Sequence, residues 1–522
     1  LLRFKVTDDR QHLQLVHADL KKEAKDLKLY FRKRQKGYHF NFLYKRRLWD
    51  GYDKFIDAEN KIGIGLWREV IKFGQNFGYE VEIDGLDSLL NLDFTREMLE
   101  KFTSVLLDGS NIEPRDYQME AAHRALKYKF CAQELATSAG KTLILYIYIS
   151  FLKRKGIVSK DKKALVVVPN ISLVGQTAEK FEKDYQTGLL SYNILQIGGS
   201  NKYSDKKFEE AELVISTYQS LANKSPEWFL NFSVLCIDEA HTSRGDSIKN
   251  ILTQSKNAEY KLGLSGTIQV DEEYSDFFKI QQHLGPLSMV LKSSFLIEQQ
   301  HSPNVYIKIL KLGYPADEPW VKQYDWLREN NKSVDGKTLF TMEREFIVGY
   351  EPRINFISSL CRKLEGNKLI LFINVKDQYG ARIADRIRTW NENCYYIDGD
   401  VGDQDRAAYK NAMEKGQGVV LVASYGTFST GIDLKNVNHI IFAESYKSEI
   451  TIRQSIGRGM RQLAGKHEVV VYDLVDDLNG YIVKHGAARE KIYNREKFIV
   501  SKHKFELAKF IETPSHNPES SA

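Results

Sequence analysis

Two short runs in this sequence carry the residue types that handle phosphate. Leu135–Thr142 reads LATSAGKT and leads into a strongly apolar stretch, Leu143–Leu152. Small residues at a helix start let backbone N–H groups wrap a phosphate. Ala136, Thr137, Ser138, Ala139 and Gly140 would form that cradle, Lys141 would meet the β- and γ-phosphates, and the Thr142 hydroxyl would hold Mg2+. Leu135 stands where the full phosphate-loop pattern has its first glycine, and a bare GKT also occurs by chance. The second run, Val234–His241, reads VLCIDEAH, an apolar strand ending in two carboxylates. Asp238 would bind Mg2+ there, and Glu239 would orient and deprotonate an attacking water. On a surface such a pair would mean nothing. At the end of a buried strand, downstream of a GKT, it points to nucleotide hydrolysis.

Other residues fit the same chemistry less specifically. His241 can link the carboxylates to the turn Ser265-Gly266-Thr267, although a lone histidine is more often structural. Pro114–Gln118 reads PRDYQ, where Gln118 could bond an adenine edge with Arg115 or Tyr117 packed nearby. Taken alone it is a helix start with proline in the early turn. Ile452–Arg461 reads IRQSIGRGMR. Arg458 and Arg461, spaced i, i+3, are expected on one helix face, where guanidinium groups can neutralise a transferred γ-phosphate. The bland alternative is an exposed basic helix; Gln454 and Gly457 beside them favour the catalytic reading.

The elements that must position these residues follow from patterning. Apolar β-branched runs at Ala164–Val168, Leu213–Ile215, Val234–Ile237 and Lys261–Leu264 alternate with helical stretches. A second series runs through Lys368–Ile373, Cys394–Ile397, Gly418–Val422, His439–Phe442 and Glu468–Tyr472. Such alternation predicts βα units around parallel sheets. The fold class expected is α/β: two tandem domains with parallel sheets plus a small α+β N-terminal domain. Boundaries are set at 1–104, 105–290, 291–349 (linker and start of the second domain), 350–512, and a disordered tail, 513–522. Pro303–Tyr350 reads as irregular and charge-rich.

The 522 residues carry 75 Lys and Arg against 69 Asp and Glu, a mild net charge of +6 whose distribution says more than its size. Lys21–Tyr52 interleaves cations with Tyr30, Phe31, Tyr38, Phe40, Phe42, Tyr44 and Trp49. Charge runs usually mark a solvated face. Rings mixed with cations also suit nucleic acid, and many of these rings must serve the core of the small domain. Hydrophobic content of 42% lets each unit bury its own core. Cys131, Cys236, Cys361 and Cys394 form no CxxC pair and are expected as buried thiols in a reducing compartment. With no apolar run long enough for a membrane span and no secretion-signal pattern, a cytoplasmic location is expected. Because Leu1 is not Met, a leading residue is expected to be missing.

From Glu113 to Asp477 the set resembles a superfamily-two helicase, with the motifs in that family's order. Pro114–Gln118 resembles its Q motif and Ala136–Thr142 its motif I; Pro169–Gln176 and Ser216–Ser220 resemble motifs Ia and Ic. Asp238–His241 is similar to a DEAH-type motif II, and Ser265–Thr267 to motif III. Phe372-Ile373-Asn374, Ser429–Asp433 and Gln454–Arg461 resemble motifs IV, V and VI. GYHFNFLYKRRLWDGYDKF and FGQNFGYEVEID, outside the motor, resemble UvsW-type phage helicases.

The resemblance implies that the two tandem domains are RecA-like, with ATP and Mg2+ as cofactors and a site shared by the two domains, completed by Gly431 and Asp433. It implies a nucleic-acid grip by Pro169, Asn170, Thr217, Gln219 and Thr430, which would give little sequence preference and strong salt dependence. The implied function is remodelling of branched DNA: fork reversal, junction migration, and removal of R-loops or D-loops. An RNA helicase, a DNA translocase that opens no duplex, and an ATP-gated clamp are the alternatives. The intact carboxylate pair and the arginines weigh against the clamp. DNA is the expected partner, with RNA in hybrids and a single-strand-binding or recombination protein as further candidates.

Overall fold

The structure is a computed structural model. It describes the chain apart from residues 186–188, 200–202, 242–244, 269–273, 331–333, 374–375, 377, 430–433, 447, 462, 464, 479 and 511–522. The expected tail and Asn374, Thr430, Gly431, Ile432 and Asp433 lie outside the described residues. Two compact units are present, Leu1–Leu291 and the chain from Lys292 onward.

The first unit opens with strands β1 (Leu2–Val6), β2 (His12–Ala18), β3 (Arg32–Arg34), β4 (Tyr52–Lys54), β5 (Lys61–Gly63) and β6 (Val81–Asp84). A four-stranded sheet has the order β5-β2-β1-β6, and β3 pairs antiparallel with β4 as a separate ribbon. This module shares its core with the rest of the first unit. A single apolar cluster runs from Leu2, Phe4, Phe31 and Phe73 to Phe278 and Leu284 of the helix Ser275–Leu284. The Phe278 ring meets Phe31 edge-on and Phe55 at a tilt, with centroids 6.1 and 5.4 Å away. Lys279 pairs with Asp53 at 2.7 Å. The expectation that each unit buries its own core therefore fails for the N-terminal module: its sheet is too small to close alone, and the Ser275–Leu284 helix supplies the missing face.

Strands β7 (Phe130–Leu135), β8 (Lys163–Val168), β9 (Ile194–Ile197), β10 (Leu213–Thr217), β11 (Phe232–Asp238), β12 (Tyr260–Ser265) and β13 (Leu287–Leu291) form a parallel sheet, ordered β13-β7-β12-β11-β8-β10-β9. Buried on both faces, such strands read as continuous apolar runs. The helix Lys141–Arg154 buries every residue from Leu143 to Leu152. The boundary at 104 falls inside the helix Arg96–Leu106, whose Leu99, Thr103 and Leu106 are buried. That helix packs on Asp116–Lys127 and Lys141–Arg154 and so belongs with the large sheet.

The second unit contains β14 (Asn304–Gly313), β15 (Lys368–Phe372), β16 (Cys394–Ile397), β17 (Val420–Ser424), β18 (His439–Phe442), β19 (Glu468–Asp476) and β20 (Ile499–Glu506), ordered β16-β17-β15-β18-β19-β14-β20 and again parallel. These are the two tandem RecA-like sheets expected. Pro303–Tyr350 is not irregular: it holds β14 and the helices Pro319–Asn330 and Gly336–Gly349. All four cysteines are buried free thiols. No helix among the described residues is long and apolar enough to cross a membrane.

Candidate functional site

At the C-terminal edge of the first sheet, neighbouring strands β7, β12 and β11 release three loops that carry the predicted residues. Leu135 ends β7, so it belongs to the strand, and Ala136–Gly140 make the turn into the helix that begins at Lys141. Gly140 caps that helix at φ 78°, in the left-handed region. A Cβ there would lie 2.3 Å from Gln118 Nε2, so both conformation and space require glycine.

Gln118 is buried and braces this loop. Its Oε1 accepts from the Arg115 amide at 2.9 Å, and its Nε2 donates to the Ala139 carbonyl at 2.9 Å. Each end of the carboxamide therefore has one protein partner, which leaves one N–H and one oxygen lone pair for the expected adenine contact. The Arg115 guanidinium donates to Tyr117 OH at 3.1 Å.

The carboxylate pair sits where the sequence places it. Lys141 Nζ stands 3.5 Å from Glu239 Oε1. Glu239 Oε2 accepts from Ser265 Oγ at 3.3 Å and lies 3.3 Å from His241 Nδ1, which in turn is 2.9 Å from Ser265 Oγ. The Thr267 amide donates to Ser265 Oγ at 3.1 Å. This contact joins His241 to the Ser265–Thr267 turn. A Cβ on Gly266 would come 3.1 Å from Thr137 Oγ1 and 3.7 Å from Lys141 Nζ, so this turn lies directly against the phosphate loop.

Burial raises the Asp238 carboxyl to about 6 despite Lys141, and its neighbour Glu239 adds to the rise. For Glu239 burial pulls the same way, but Lys141 and His241 outweigh it and hold the carboxyl well below its usual range. The pair therefore divides its charge, with Glu239 ionised first. Glu239 also has φ 54°, a conformation a non-glycine residue holds only when its surroundings impose it.

Beside this site, β8 and β10 end together, with Thr217 opposite Val168. Asn170, after Pro169, caps the helix Ile171–Glu179 through its Oδ1 and the Leu173 amide at 3.0 Å. Thr217 Oγ1 accepts from the Ser220 amide at 3.2 Å, and Gln219 is exposed. Asn170 Nδ2 and Thr267 Oγ1 are buried with no hydrogen-bond partner among the described residues. Gly198 and Gly199, with φ 132° and 64°, adjoin Ser220 and Ile171 there. Sequence reasoning missed them; the signal was a paired glycine directly after a short apolar run, Ile194–Ile197.

In the second unit Gln454 and Arg458 share one face of the helix Glu449–Gly459. Arg461 does not share it. The helix stops at Gly459, Met460 caps it, and Lys466 Nζ donates to the Gly459 carbonyl at 2.5 Å, so Arg461 lies beyond the last turn. Its guanidinium is pushed down to about 10 by burial. The Arg458 guanidinium lies 5.0 Å from the centre of the Phe428 ring.

The sheets and loops define a motor of the superfamily-two class. Three family models match the chain: "Type III restriction enzyme, res subunit" over residues 111–270, "Helicase conserved C-terminal domain" over 352–462, and "DNA helicase UvsW, N-terminal" over 14–84. The ATP-dependent DNA helicase uvsW of Enterobacteria phage T4 is 32% identical over 499 residues, spanning 91% of this chain and 94% of that protein. The DNA 3'-5' translocase XPB2 of Sulfurisphaera tokodaii is 25% identical over 425 residues, 76% and 86% of the two chains. A fragment of a putative HsdR subunit of a type I restriction enzyme from Vibrio vulnificus shares the fold at 16% identity and TM-score 0.54, covering 77% of this chain and 71% of that one. The chain belongs to the UvsW family of ATP-dependent DNA helicases.

Proposed function

We propose that this chain hydrolyses ATP to remodel branched DNA, reversing forks, migrating junctions and removing R-loops or D-loops. The observation that carries the reading is the connected series Lys141, Glu239, His241 and Ser265, which ties the phosphate loop to the turn after β12. In it Glu239 orients and deprotonates the attacking water, and Lys141 holds the phosphates. Thr142 and Asp238 would hold Mg2+: a hydroxyl and a buried carboxylate whose proton affinity is raised are oxygen donors suited to a hard cation. Bound there, the cation would neutralise phosphate charge. Arg458, Arg461 and Gln454 of the second unit serve the γ-phosphate, and Gly431 and Asp433 complete the nucleotide site. His241, Ser265 and Thr267 couple hydrolysis to the grip of Pro169, Asn170, Thr217, Gln219 and Thr430 on one strand.

The deciding experiment compares ATP turnover and strand displacement on branched DNA, single-stranded DNA and RNA. Stimulation greatest with branched DNA supports the proposal. Stimulation by RNA alone would overturn it, and DNA-stimulated turnover without strand displacement would leave a translocase.

A further inference from the structure

The strands β3 and β4 are joined by a compact knob, Gln35–Gly51, whose exposed side chains are apolar or cationic apart from His39 and Asp50. Phe40, Phe42, Leu43 and Leu48 are apolar and 76, 60, 47 and 71% exposed. Around them Lys36, Lys45, Arg46 and Arg47 are exposed cations, against a single acid, Asp50, which pairs with Arg32 at 2.9 Å. Four large apolar side chains exposed within nine residues make a patch that a soluble surface avoids without a use for it.

The knob is held rigid from within. The Arg34 guanidinium lies between the rings of Tyr38 and Tyr52, at 4.6 and 4.8 Å, and donates to Tyr52 OH at 2.9 Å. Tyr38 meets Tyr44 edge-on at 4.7 Å, and Trp49 Nε1 donates to the Tyr52 carbonyl at 3.0 Å. The Arg46 guanidinium sits 4.2 Å from the centre of the Phe42 ring, so that ring is presented with a cation already against it.

The position in the first unit is equally specific. Arg34 bridges Tyr274, immediately before the helix Ser275–Leu284. The far end of that helix, at Gly285, abuts the Phe130 carbonyl, where β7 begins. The helix start, and with it the β3–β4 ribbon, therefore lies at the C-terminal edge of the sheet, the edge that carries Asn170, Thr217 and Thr267.

We propose that the knob is a wedge that receives an unstacked base at the branch point of a DNA junction, with Phe40, Phe42 and Leu48 against the base and Lys45, Arg46 and Arg47 on the flanking phosphates. Charge complementarity and the ring faces select this occupant: every base has a π-face, and phosphates surround it. The inference rests on the proposed DNA-remodelling function and adds to it the residues that meet the branch.

The test uses the full chain and a forked DNA carrying 2-aminopurine at the branch or, as a control, within the duplex arm. Wild-type protein should change the fluorescence of the branch base and leave the internal one unchanged. The variant Phe40→Ala/Phe42→Ala/Leu48→Ala should lose that change and unwind the fork about tenfold or more slowly. Its turnover stimulated by single-stranded DNA should stay within roughly twofold of wild type, because none of the three side chains touches the ATP loops. Phe40→Trp should keep both the signal and the unwinding. Unaltered fork unwinding by the triple variant would overturn the wedge while leaving the helicase standing. So would a loss of self-association on the same substitution, which would assign the patch to a second copy of the chain. Wild-type protein that no DNA stimulates would overturn the function itself.

Discussion

The side chain of Gln118 reaches from the start of its own helix to the phosphate loop, and its Nε2 donates to the Ala139 carbonyl at 2.9 Å. That tie joins the PRDYQ segment to the cradle through protein groups alone. Removing it frees a loop whose backbone N–H groups must already point at the phosphates. Gln118→Ala should lower kcat/KM for ATP by about tenfold, the effect of losing about 1.4 kcal/mol of hydrogen bonding. Because the brace acts on the loop, ATP and GTP turnover should fall in parallel. A variant that loses only its preference for ATP over GTP would make the adenine contact the main role of Gln118.

Glu239→Gln keeps the shape of the side chain and removes its basicity. Turnover should drop by about a hundredfold or more, as expected for loss of a positioned general base. Nucleotide affinity should hold, since Lys141 and the loop remain. Equilibrium binding of a fluorescent ATP analogue alongside steady-state turnover checks both halves. A fall in affinity equal to the fall in rate would make Glu239 a positioning group for Lys141.

The motifs were legible in the sequence because their chemistry requires fixed residue types in fixed order, and the strands behind them because burial on both faces leaves uninterrupted apolar runs. Strand β7 escaped notice since Gln133 and Glu134, fully buried, break its run; Gln133 turns its Nε2 to the Ala121 carbonyl at 2.8 Å. Strand β14 alternates Val305, Ile307 and Ile309 with half-exposed Tyr306 and Lys308, a pattern easily lost among charges. The outermost β20, IVSKHKFE, is charged as sheet edges often are. The i, i+3 spacing of Arg458 and Arg461 predicts a shared helix face, whereas the helix ends at Gly459, whose carbonyl accepts from Lys466 Nζ just downstream. Nor could any local pattern show that the N-terminal module borrows its core from a helix some 200 residues downstream.

That shared core makes the module's attachment testable at Gly65. A Cβ there would lie 1.9 Å from the Gln281 carbonyl and 2.5 Å from the Gly285 amide, both backbone atoms of the helix end. Gly65→Ala must push the module off the helix and should cost about 1–3 kcal/mol. Gly175→Ala, in a helix with open space around it, should be neutral or slightly stabilising. Thermal unfolding of the two variants followed together with ATP binding checks the coupling. If Gly65→Ala melts the module while the ATP site keeps its wild-type melting temperature, the two are not one folding unit.

Lys261 makes the same interface sensitive to pH. Its Nζ is buried, donating to Gln11 Oε1 at 2.9 Å and the Leu252 carbonyl at 3.1 Å, and burial pushes its pKa down to about 7 from 10.5. Between those two values the unfolded chain binds a proton that the folded chain does not. Stability of the first unit must therefore rise with pH across that window. Below about 7 the lysine is charged in both states and its full desolvation cost is present; towards 10.5 that cost is relieved. Lys261→Met removes the titration, so the gain in stability from pH 7 to pH 9.5 should be larger in wild type than in the variant. Paired denaturant titrations at the two pH values measure that difference directly, and equal gains in the two proteins would mean that Lys261 stays charged within the fold.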